Sequence, residues 1–404
     1  MTETILVVNA GSSSIKFQLF SVAAHDQLRR QLKGQIEGIG VRPRLIAKEI
    51  EGQPPTEEEW PASEVATLPQ ALEKLVAFLR ARLGSLPTAI GHRVVHGGPD
   101  YSEPTVIDDS VIERLERFTS LAPLHQPNNL APIRAVRAGQ PQMLQVACFD
   151  TAFHRSHPEI ADRYALPEQF YAEGVRRYGF HGLSYEYIAG MLPDKAPEIA
   201  HGRVVVAHLG SGASMCAISD GRSVESTLGF TALDGIPMGT RPGQLDPGVV
   251  LYLMSEKRMS SKEIERLLYN ESGLKGLSGI SNDVRDLLAS EDPRAKLALE
   301  HFVYRISLFA GMLAAAMGGI DGFVFTAGIG ENSPAIRGAV AKRLAWLGLD
   351  FDPKSNEKGE ARISRKGSRI ACYVIPTDEE LMIARHTLSV LQSQRATVLK
   401  ERHA

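Results

Sequence analysis

VVNAGSSSIKF, at residues 7–17, is the segment that decides the fold. Its apolar residues predict a strand, its glycine and serines predict a tight turn, and the residues from Ile15 onward predict a second strand, which together make a β-hairpin. The backbone amides around Gly11 allow close approach of an anion, and Lys16 adds a positive charge. This composition suits a polyphosphate, and it also suits a purely structural turn.

A second segment, VVVAHLGSGASMCAISDGR at residues 204–222, repeats this design. An apolar strand, a small-residue turn and another strand follow in the same order, and Asn9-Ala10-Gly11-Ser12 aligns with His208-Leu209-Gly210-Ser211. Two similar turns about half a chain apart predict a duplicated fold with a cleft between the halves. Chance similarity of two short segments is the alternative.

The remaining chain alternates helices and strands. Helical spacing of apolar residues over 68–84 predicts a helix ending at Gly84, and a buried strand over 143–149 ends at Asp150. The strand GFVFTAG at 322–328 leads into a glycine-rich loop, and Ser333 is expected to cap the next helix. The last segment predicts a helix with one apolar side, formed by Leu381, Ala384, Leu388 and Leu391. This order indicates α/β architecture with mixed sheets.

Composition excludes several classes of protein. The 404 residues are 43% hydrophobic and carry a net charge of -2, so they can bury a sizeable core and present no general attraction for a polyanion. We therefore expect neither nucleic acid nor membrane partners. The three cysteines form no C-x-x-C pair, which favours buried thiols over disulfides or a thiolate zinc site.

The termini and the apolar segments predict a cytoplasmic protein. The start, MTETILVVNAG, lacks the basic and long apolar regions of a signal peptide. The most apolar stretch, residues 308–320, is too short for the roughly 20 residues that a bilayer span needs, and we expect it to be a buried helix.

Positively charged candidates lie on two motifs, HRVVHGG with Arg93 and MGTRPGQLDPG with Arg241. Arginine suits bidentate capture of carboxylate or phosphate oxygens, although a loop arginine is often only a solvated charge. His92 and His96 have the spacing of a helical metal pair, but the pattern around them is that of a strand. His154 and His157 lack a third ligand in the sequence, so zinc is not expected.

The chain resembles the acetate and propionate kinase family of the sugar kinase, Hsp70 and actin superfamily. The resemblance covers essentially the whole chain and rests on motifs that occur in the family's order: NAGSSSIK, GHRVVHGG, CFDTAFH, RRYGFHG, MGTRPGQLDPG and FTAGIGENS. It implies duplicated actin-like, ribonuclease H-like βββαβαβα domains with a nucleotide cleft between them. The implied boundaries are 1–150 plus 383–404 for one domain and 151–382 for the other, which also forms a homodimer.

The resemblance implies reversible transfer of phosphate from ATP to a short carboxylic acid, with Mg²⁺ or alternatively Mn²⁺ as cofactor. Asn9 and Glu379 would serve the metal, and Lys16 would contact ATP phosphate. Arg93 and His125 would bind the carboxylate. The motifs give the following catalytic residues: Asp150, His181 and Arg241. The implied nucleotide site comprises three segments: His208, Leu209, Gly210, Ser211 and Gly212; Asp283, Val284 and Arg285; and Gly328, Ile329, Gly330, Glu331 and Asn332.

The chemistry of the candidate residues agrees with this implied reaction. A carboxylic acid with a pKa of about 4 to 5 is ionised at neutral pH, so its phosphorylation needs no strong base. The obstacle is repulsion between anions, which cationic side chains and Mg²⁺ relieve. Asp150 is then a metal or water orienter, whereas in a sugar kinase the same position would deprotonate a hydroxyl.

Five positions depart from the family's pattern. Ser211 stands for asparagine, Leu183 and Tyr185 stand for threonine and histidine, and Ala232 stands for proline. Gln126 also replaces an asparagine near His125. Ala232 removes ring volume near the substrate's alkyl end, so propionate is the alternative substrate. An actin-like or Hsp70-like ATPase switch and a phosphatase of the same fold are the alternatives outside the class.

Overall fold

The computed structural model describes residues 3–11, 13–50, 54–84, 86–123 and 125–403, and the chain divides into two compact units. Unit 1 contains Met1–Ala152 and Asp378–Ala404, and unit 2 contains Phe153–Thr377. Each unit has its own β-sheet with helices packed on it. The predicted α/β class is confirmed. Ser12 of the aligned turns and the terminal Ala404 lie outside the described residues.

Unit 1 is built on an eight-stranded sheet with the order β5-β4-β3-β2-β1-β6-β8-β7. The strands are β1 Thr4–Ala10, β2 Ser14–Val22, β3 Leu28–Glu37, β4 Arg44–Glu49, β5 Thr56–Glu59, β6 Ala89–Val94, β7 Thr105–Val106 and β8 Leu144–Phe149. The predicted hairpin is β1 with β2, in which Asn9 lies opposite Lys16. On its other side β1 runs parallel to β6, and β6 runs parallel to β8.

Three helices cover unit 1 within its first segment: α1 Leu68–Leu83, α2 Asp109–Glu116 and α3 Gln126–Gly139. The helix α1 starts where the Gln70 side chain accepts a hydrogen bond from the Thr67 amide at 3.0 Å. It ends as predicted at Gly84, whose φ of 63° is left-handed and favours glycine. Apolar residues of β1, β2 and α1 form one continuous core cluster.

Unit 2 has a five-stranded sheet with the order β11-β10-β9-β12-β13. Its strands are β9 Arg203–Leu209, β10 Ala213–Ser219, β11 Arg222–Ser226, β12 Gly322–Thr326 and β13 Ala371–Val374. The strand β9 forms an antiparallel hairpin with β10 and a parallel pair with β12. These are the pairings that β1 makes with β2 and β6, so the two segments that resemble each other in sequence also have the same topology.

Eleven helices belong to unit 2 among the described residues: α4 Glu159–Asp162, α5 Glu168–Ala172, α6 Gly182–Lys195, α7 Pro247–Ser255, α8 Ser261–Arg266, α9 Gly273–Ser278, α10 Val284–Ala289, α11 Pro293–Ala316, α12 Ala327–Asn332, α13 Pro334–Arg343 and α14 Pro353–Glu357. The helix α13 begins as predicted, with the Ser333 hydroxyl as its N-cap acceptor. The predicted glycine-rich loop at 328–332 is wrong, because these residues form α12. The Glu331 carboxylate accepts from the Ala327 amide at 2.8 Å and thereby closes the first turn of that helix.

The buried helix expected at 308–320 is present as far as Ala316, but only one side of it is buried. The helix α11 is amphipathic there, because Leu313 is fully buried while Leu308 is 46% and Met312 is 41% exposed. By length and composition α11 could cross a membrane, a test that core helices of soluble proteins also pass. The three cysteines are buried, as predicted.

The C-terminal helix, α15 Glu379–His403, belongs to unit 1 and packs on β1, β6 and β8. Its buried residues Ile383 and Thr387 lie against Gly91 of β6. A Cβ atom at Gly91 would be 2.3 Å from Thr387 Oγ1 and 2.6 Å from Ile383 Cγ2. The glycine therefore permits the close approach that brings Glu379, the first residue of α15, to the sheet.

We predict that Gly91→Ala destabilises unit 1, because the added methyl group has no room beneath α15. Overpacking a filled core costs about 1 to 3 kcal/mol, which lowers the unfolding midpoint by several degrees. Gly139→Ala is the matched control, since nothing lies within 4 Å of a Cβ there. Calorimetric scans of both variants check the prediction, and equal midpoints would contradict it.

Candidate active site

Three polar residues follow one another across the sheet of unit 1 where parallel strands end. Asn9 lies near the end of β1, Arg93 near the end of β6, and Asp150 directly after β8. The Asp150 amide continues the ladder by donating to the Val94 carbonyl oxygen at 3.1 Å. Ligands of α/β proteins bind outside the carboxyl ends of such strands, so this edge is the candidate site of unit 1.

Arg93 and Asp150 form a bidentate ion pair. Arg93 Nε donates to Asp150 Oδ1 at 2.9 Å, and Nη2 donates to Oδ2 at 2.6 Å. Arg93 Nη1 also lies 3.8 Å from Glu379 Oε2. The side chain of Asp150 is 2% exposed, so the pair is shielded from water and fixed in geometry. One guanidinium thus faces two carboxylates, which leaves an excess of negative charge.

The pKa of Glu379 is raised from 4.5 to about 7 by burial. The Asp150 and Glu380 carboxylates raise it further, whereas Arg93 and Lys16 act in the opposite direction. Lys16 thus lies within electrostatic reach of Glu379, as the predicted site requires. Ionisation of this carboxylate is costly unless a further cation lies nearby. Such a carboxylate is a suitable ligand for a metal cation.

The oxygen donors at this edge fit a hard cation such as Mg²⁺. They are the Glu379 and Asp150 carboxylates and the Asn9 amide, and Mg²⁺ typically takes one or two carboxylates and completes its shell with water and phosphate. Among the described residues there is no group of three or more His, Cys, Asp or Glu side chains that could hold a metal ion. The site therefore does not fit a metal held entirely by protein.

Asn129 of α3 is a site residue that the sequence analysis missed. Its side chain accepts from the Val95 amide at 2.9 Å and donates to the Ala10 carbonyl oxygen at 2.8 Å. It therefore ties the end of β1, next to Asn9, to the end of β6, next to Arg93. His125 stands at the N-cap of the same helix. The sequence signal that could have identified Asn129 is the pair of asparagines in HQPNN, to which no role was assigned from the sequence.

In unit 2 the structure brings His181 and the turn 208–212 together. His181 is the N-cap of α6 and has a left-handed backbone, with φ 58° and ψ 24°. Its ring stacks on the His208 ring at 4.3 Å with an interplanar angle of 15°. A Cβ atom at Gly212 would lie 3.2 Å from His181 Nε2, so the missing side chain leaves room for that nitrogen.

The segment 328–332, which the resemblance assigns to the nucleotide, is held in place by hydrogen bonds to residues on both sides of it in the chain. The Glu331 carboxylate accepts from the Ala327 amide and, at 3.1 Å, from the Thr377 amide. Arg337, which is 1% exposed, donates from Nη1 to the carbonyl oxygens of Gly330 at 3.0 Å and Glu331 at 2.7 Å. The sequence analysis placed Glu331 in the nucleotide site and missed Arg337, and both side chains hold the backbone of α12 in place.

Arg241 differs from Arg93 because no carboxylate pairs with it among the described residues. Its Nη1 donates to the Ala232 carbonyl oxygen at 3.3 Å, and its guanidinium lies 5.4 Å from the Tyr269 ring centroid. Burial lowers the pKa of Arg241. A partly buried cation without a counter-charge is a suitable binding group for an anion.

Asp283 and Arg285 pair with each other at 2.6 Å rather than with other predicted site residues. The Arg285 side chain is 89% exposed, and the hydrogen bonds that its side chain and its amide donate lower the pKa of Asp283 to about 2. Of the hydrogen bonds and ion pairs described for these two side chains, none reaches the His181 group. At the start of α10 the structure therefore places the Arg285 side chain at the surface, whereas Val284 is buried.

Three histidines for which the sequence predicted no metal site, His92, His154 and His157, take part in hydrogen bonds inside the fold. His92 Nε2 lies 2.9 Å from Gln145 Oε1, and burial lowers the pKa of His92 to about 4. His154 and His157 lie 2.8 and 2.7 Å from the Ser223 hydroxyl. The sequence showed no third partner for these two histidines, and in the structure that partner is Ser223. The three side chains form a buried hydrogen-bond cluster rather than a metal site.

Comparison with known proteins decides the family, because a model of the acetokinase family matches residues 4–385. The chain belongs to the acetokinase family. A relative described as acetate kinase, from Nitrobacter hamburgensis, is 62% identical over 98% of both chains. The solved acetate kinase of Porphyromonas gingivalis matches with a TM-score of 0.84 and 36% identity, over 96% of this chain and 100% of that one.

A solved propionate kinase from Francisella tularensis matches this acetokinase family member with a TM-score of 0.88. The identity is 37%, and the match covers 96% of this chain and 99% of that one. The family comprises kinases, so the chain is a kinase-class enzyme and the predicted actin-like fold is confirmed.

We predict that Glu379 makes the stability of unit 1 depend on pH. Its pKa is raised to about 7 in the fold, against an ordinary value of 4.5. The contribution of Glu379 to stability is therefore fully present below about pH 4.5 and is lost as the pH rises through about 7. In EDTA, the unfolding midpoint of the wild type should fall relative to that of Glu379→Gln between pH 5 and pH 8.

Glu73→Gln, at an exposed position of α1, is the control and should follow the wild type at every pH. Wild-type and Glu379→Gln midpoints that stay parallel from pH 5 to pH 8 would contradict the raised pKa.

Proposed function

We propose that the chain transfers the γ-phosphoryl group of ATP to acetate, reversibly and by direct in-line transfer, to give acetyl phosphate and ADP. The observation that carries the proposal is the full-length match to relatives described as acetate kinases, at 62% identity in the first case. The geometry of the site residues supports it, because unit 1 places Arg93 beside carboxylates that suit a metal cation and unit 2 places Arg241 and His181 where they can bind an anion.

The proposed reaction divides the two arginines by role. Arg93 spends two of its N–H groups on Asp150, and its remaining N–H groups bind the acetate carboxylate. Arg241 has no acidic partner among the described residues, and it stabilises the charge of the transferring phosphoryl group together with His181. Asp150 orients Arg93 and water or metal. It does not act as a base, since acetate is already ionised.

Mg²⁺ is the proposed cofactor, with Mn²⁺ as the alternative ion. Asn9 and Glu379 would hold it, and Lys16 would contact the ATP phosphates. When bound, the ion neutralises part of the phosphate charge that repels the carboxylate. Glu379 in turn must be ionised to bind the ion, so metal binding is favoured as the pH rises through about 7.

The nucleotide is assigned to the three segments of unit 2. The turn from His208 to Gly212 has small residues that leave its backbone amides accessible to phosphate oxygens. Asp283, Val284 and Arg285 at the start of α10 and the α12 segment from Gly328 to Asn332 bind the rest of the nucleotide. Ser211 offers a shorter side chain than the asparagine that is usual in the family, so backbone groups carry the contact.

The proposed biological unit is a cytoplasmic homodimer with the domains 1–150 plus 383–404 and 151–382. Exposed apolar side chains on unit 2 support an association surface. Leu251 of α7 is 66% exposed, Leu308 of α11 is 46% exposed, and Trp346 is 72% exposed. The near-zero net charge and the buried thiols agree with a cytoplasmic protein without nucleic acid partners.

Propionate is the second candidate substrate, and Ala232 is the observation that favours it. The Ala232 carbonyl oxygen accepts from Arg241 Nη1, so the backbone of this residue is adjacent to a proposed catalytic group. A proline ring here, as is usual in the family, would fill volume that alanine leaves open. The related solved structure described as a propionate kinase is consistent with this alternative.

We predict that the protein forms acetyl hydroxamate when incubated with ATP, Mg²⁺, acetate and hydroxylamine. Arg241→Leu should lower kcat by roughly 10² to 10³, the usual cost of removing one charge-stabilising donor, with little change in the KM for ATP. Arg222→Leu, at an exposed position of β11, is the control and should keep full activity.

Release of inorganic phosphate without hydroxamate would instead indicate an ATPase or phosphatase and would overturn the proposed function. Unchanged kcat in Arg241→Leu would overturn the role of that arginine.

We predict that Ala232→Pro shifts preference toward acetate. One methylene group in a pocket is worth about 1 to 3 kcal/mol, so the ratio of kcat/KM for acetate to that for propionate should rise by roughly ten-fold or more. Steady-state kinetics with both acids check this, and Ala232→Gly serves as the control without added volume. An unchanged ratio in Ala232→Pro would place the residue outside the alkyl pocket.

A further inference from the structure

Two buried hydroxyl groups lie in line behind His181. His181 Nδ1 is 2.8 Å from Ser214 Oγ, and the Tyr185 hydroxyl is within hydrogen-bonding distance of the same Oγ atom. Tyr185 and Ser214 are both 0% exposed. Neither residue has a role in the proposed function, and Tyr185 stands where the family usually has histidine.

The fold fixes this arrangement from three sides. Tyr185 is one helical turn after His181 on α6, and its amide donates to the His181 carbonyl oxygen at 3.1 Å. Ser214 lies on β10, opposite His208 of β9. His208 stacks on the other side of the His181 ring and is itself 2.8 Å from the Ser184 hydroxyl. The imidazole of His181 therefore has one orientation.

The hydrogen bonds also have a preferred direction. A phenol is a stronger acid than an aliphatic alcohol and hence the better donor, so the Tyr185 hydroxyl donates to Ser214 Oγ. The single hydroxyl hydrogen of Ser214 can then be donated to His181 Nδ1, and in the arrangement that we infer Nδ1 accepts it. A neutral imidazole that accepts at Nδ1 carries its hydrogen on Nε2.

The Nε2 edge of the ring faces the turn that is assigned to the phosphates. It lies next to Gly212, where a Cβ atom would come within 3.2 Å of it. A hydrogen on Nε2 makes this edge a donor toward phosphate oxygens, whereas the other tautomer would present a lone pair and repel them.

We propose that Ser214 and Tyr185 are positioning residues that hold neutral His181 in the Nε2–H tautomer, so that it donates to the transferring phosphoryl group without being protonated. The inference rests on the proposed role of His181 in phosphoryl transfer. The two residues act through His181 and do not touch the substrate.

The test reads the tautomer directly, by imidazole ¹⁵N NMR of the full-length protein at pH 7.5 without substrates. The His181 signals are assigned from their loss in His181→Gln. We expect the wild type to show hydrogen on Nε2 and a bare Nδ1. Ser214→Ala should lose the fixed pattern, and its kcat should fall by about five- to ten-fold with both KM values within about two-fold, since a single hydrogen bond is lost.

Tyr185→Phe is the second variant, because it keeps the ring and its packing while removing the donor. It should weaken the Nε2–H pattern and lower kcat by about two- to five-fold, as expected for a bond one step further from His181. The matched controls are Ser223→Ala, a buried serine that contacts His154 and His157, and Tyr178→Phe, a buried tyrosine whose hydroxyl donates to the Gly174 carbonyl oxygen.

Both controls should keep the His181 signals and kcat. Hydrogen on Nδ1 in the wild type would overturn the inference, as would a Ser214→Ala protein with unchanged spectrum and kcat. Equal losses of kcat in Ser223→Ala would also overturn it by showing only a general effect on folding. Because the spectrum needs no turnover, failure of the tautomer assignment is distinguishable from failure of acetyl phosphate formation.

Discussion

The candidate site of unit 1 depends on the bidentate ion pair between Arg93 and Asp150. Breaking a buried pair by removing one partner leaves an uncompensated charge, which typically costs 3 to 5 kcal/mol, about a third of a domain's whole stability. The pair is possible because β6 and β8 are parallel neighbours that end together. It sets the orientation of Arg93, and it leaves Glu379 as the carboxylate that a further cation must satisfy.

The charged and hydrogen-bonding side chains of unit 2 are arranged differently. Arg241 lies partly buried over Tyr269 with no carboxylate partner among the described residues, and His181 is held between a stacked ring and a serine hydroxyl. These groups are fixed before any anion arrives, which is the condition for electrostatic stabilisation without reorganisation. The same strand topology thus supports different charge arrangements: paired ions at the strand ends of unit 1, and in unit 2 an arginine, Arg241, that pairs with no carboxylate among the described residues.

Local patterns predicted much of this structure, because hairpins, caps and strand ends are set by neighbouring residues. The turn around Gly11, the cap at Gly84 and the position of Asp150 after a buried strand all followed from such patterns. The α12 helix did not, since it depends on the Glu331 carboxylate and on Arg337, whose contacts are with Asn356 as well as with the segment itself. Glycine spacing carries no information about those distant partners.

Candidate site residues could be predicted where a charged side chain stands in a recognisable motif, as the arginines and the aspartate do. Ser214 and Tyr185 were not predictable, since each acts by contact with a segment far away in sequence. The asparagines in HQPNN marked Asn129 but did not indicate its contacts with Val95 and Ala10. The exposed side of α11 was missed for a related reason. An apolar composition predicts that a helix is buried on at least one side, but how many sides are buried depends on the elements that pack against it.

In the proposed reaction a carboxylate oxygen of acetate, rather than water, becomes bonded to the phosphorus atom that ATP transfers. The most direct measurement uses acetate labelled with ¹⁸O in both oxygens and follows the product by ³¹P NMR. The account predicts acetyl phosphate whose phosphorus signal carries the isotope shift of a bridging ¹⁸O atom. Release of inorganic phosphate without ¹⁸O, with no labelled acetyl phosphate, would contradict it.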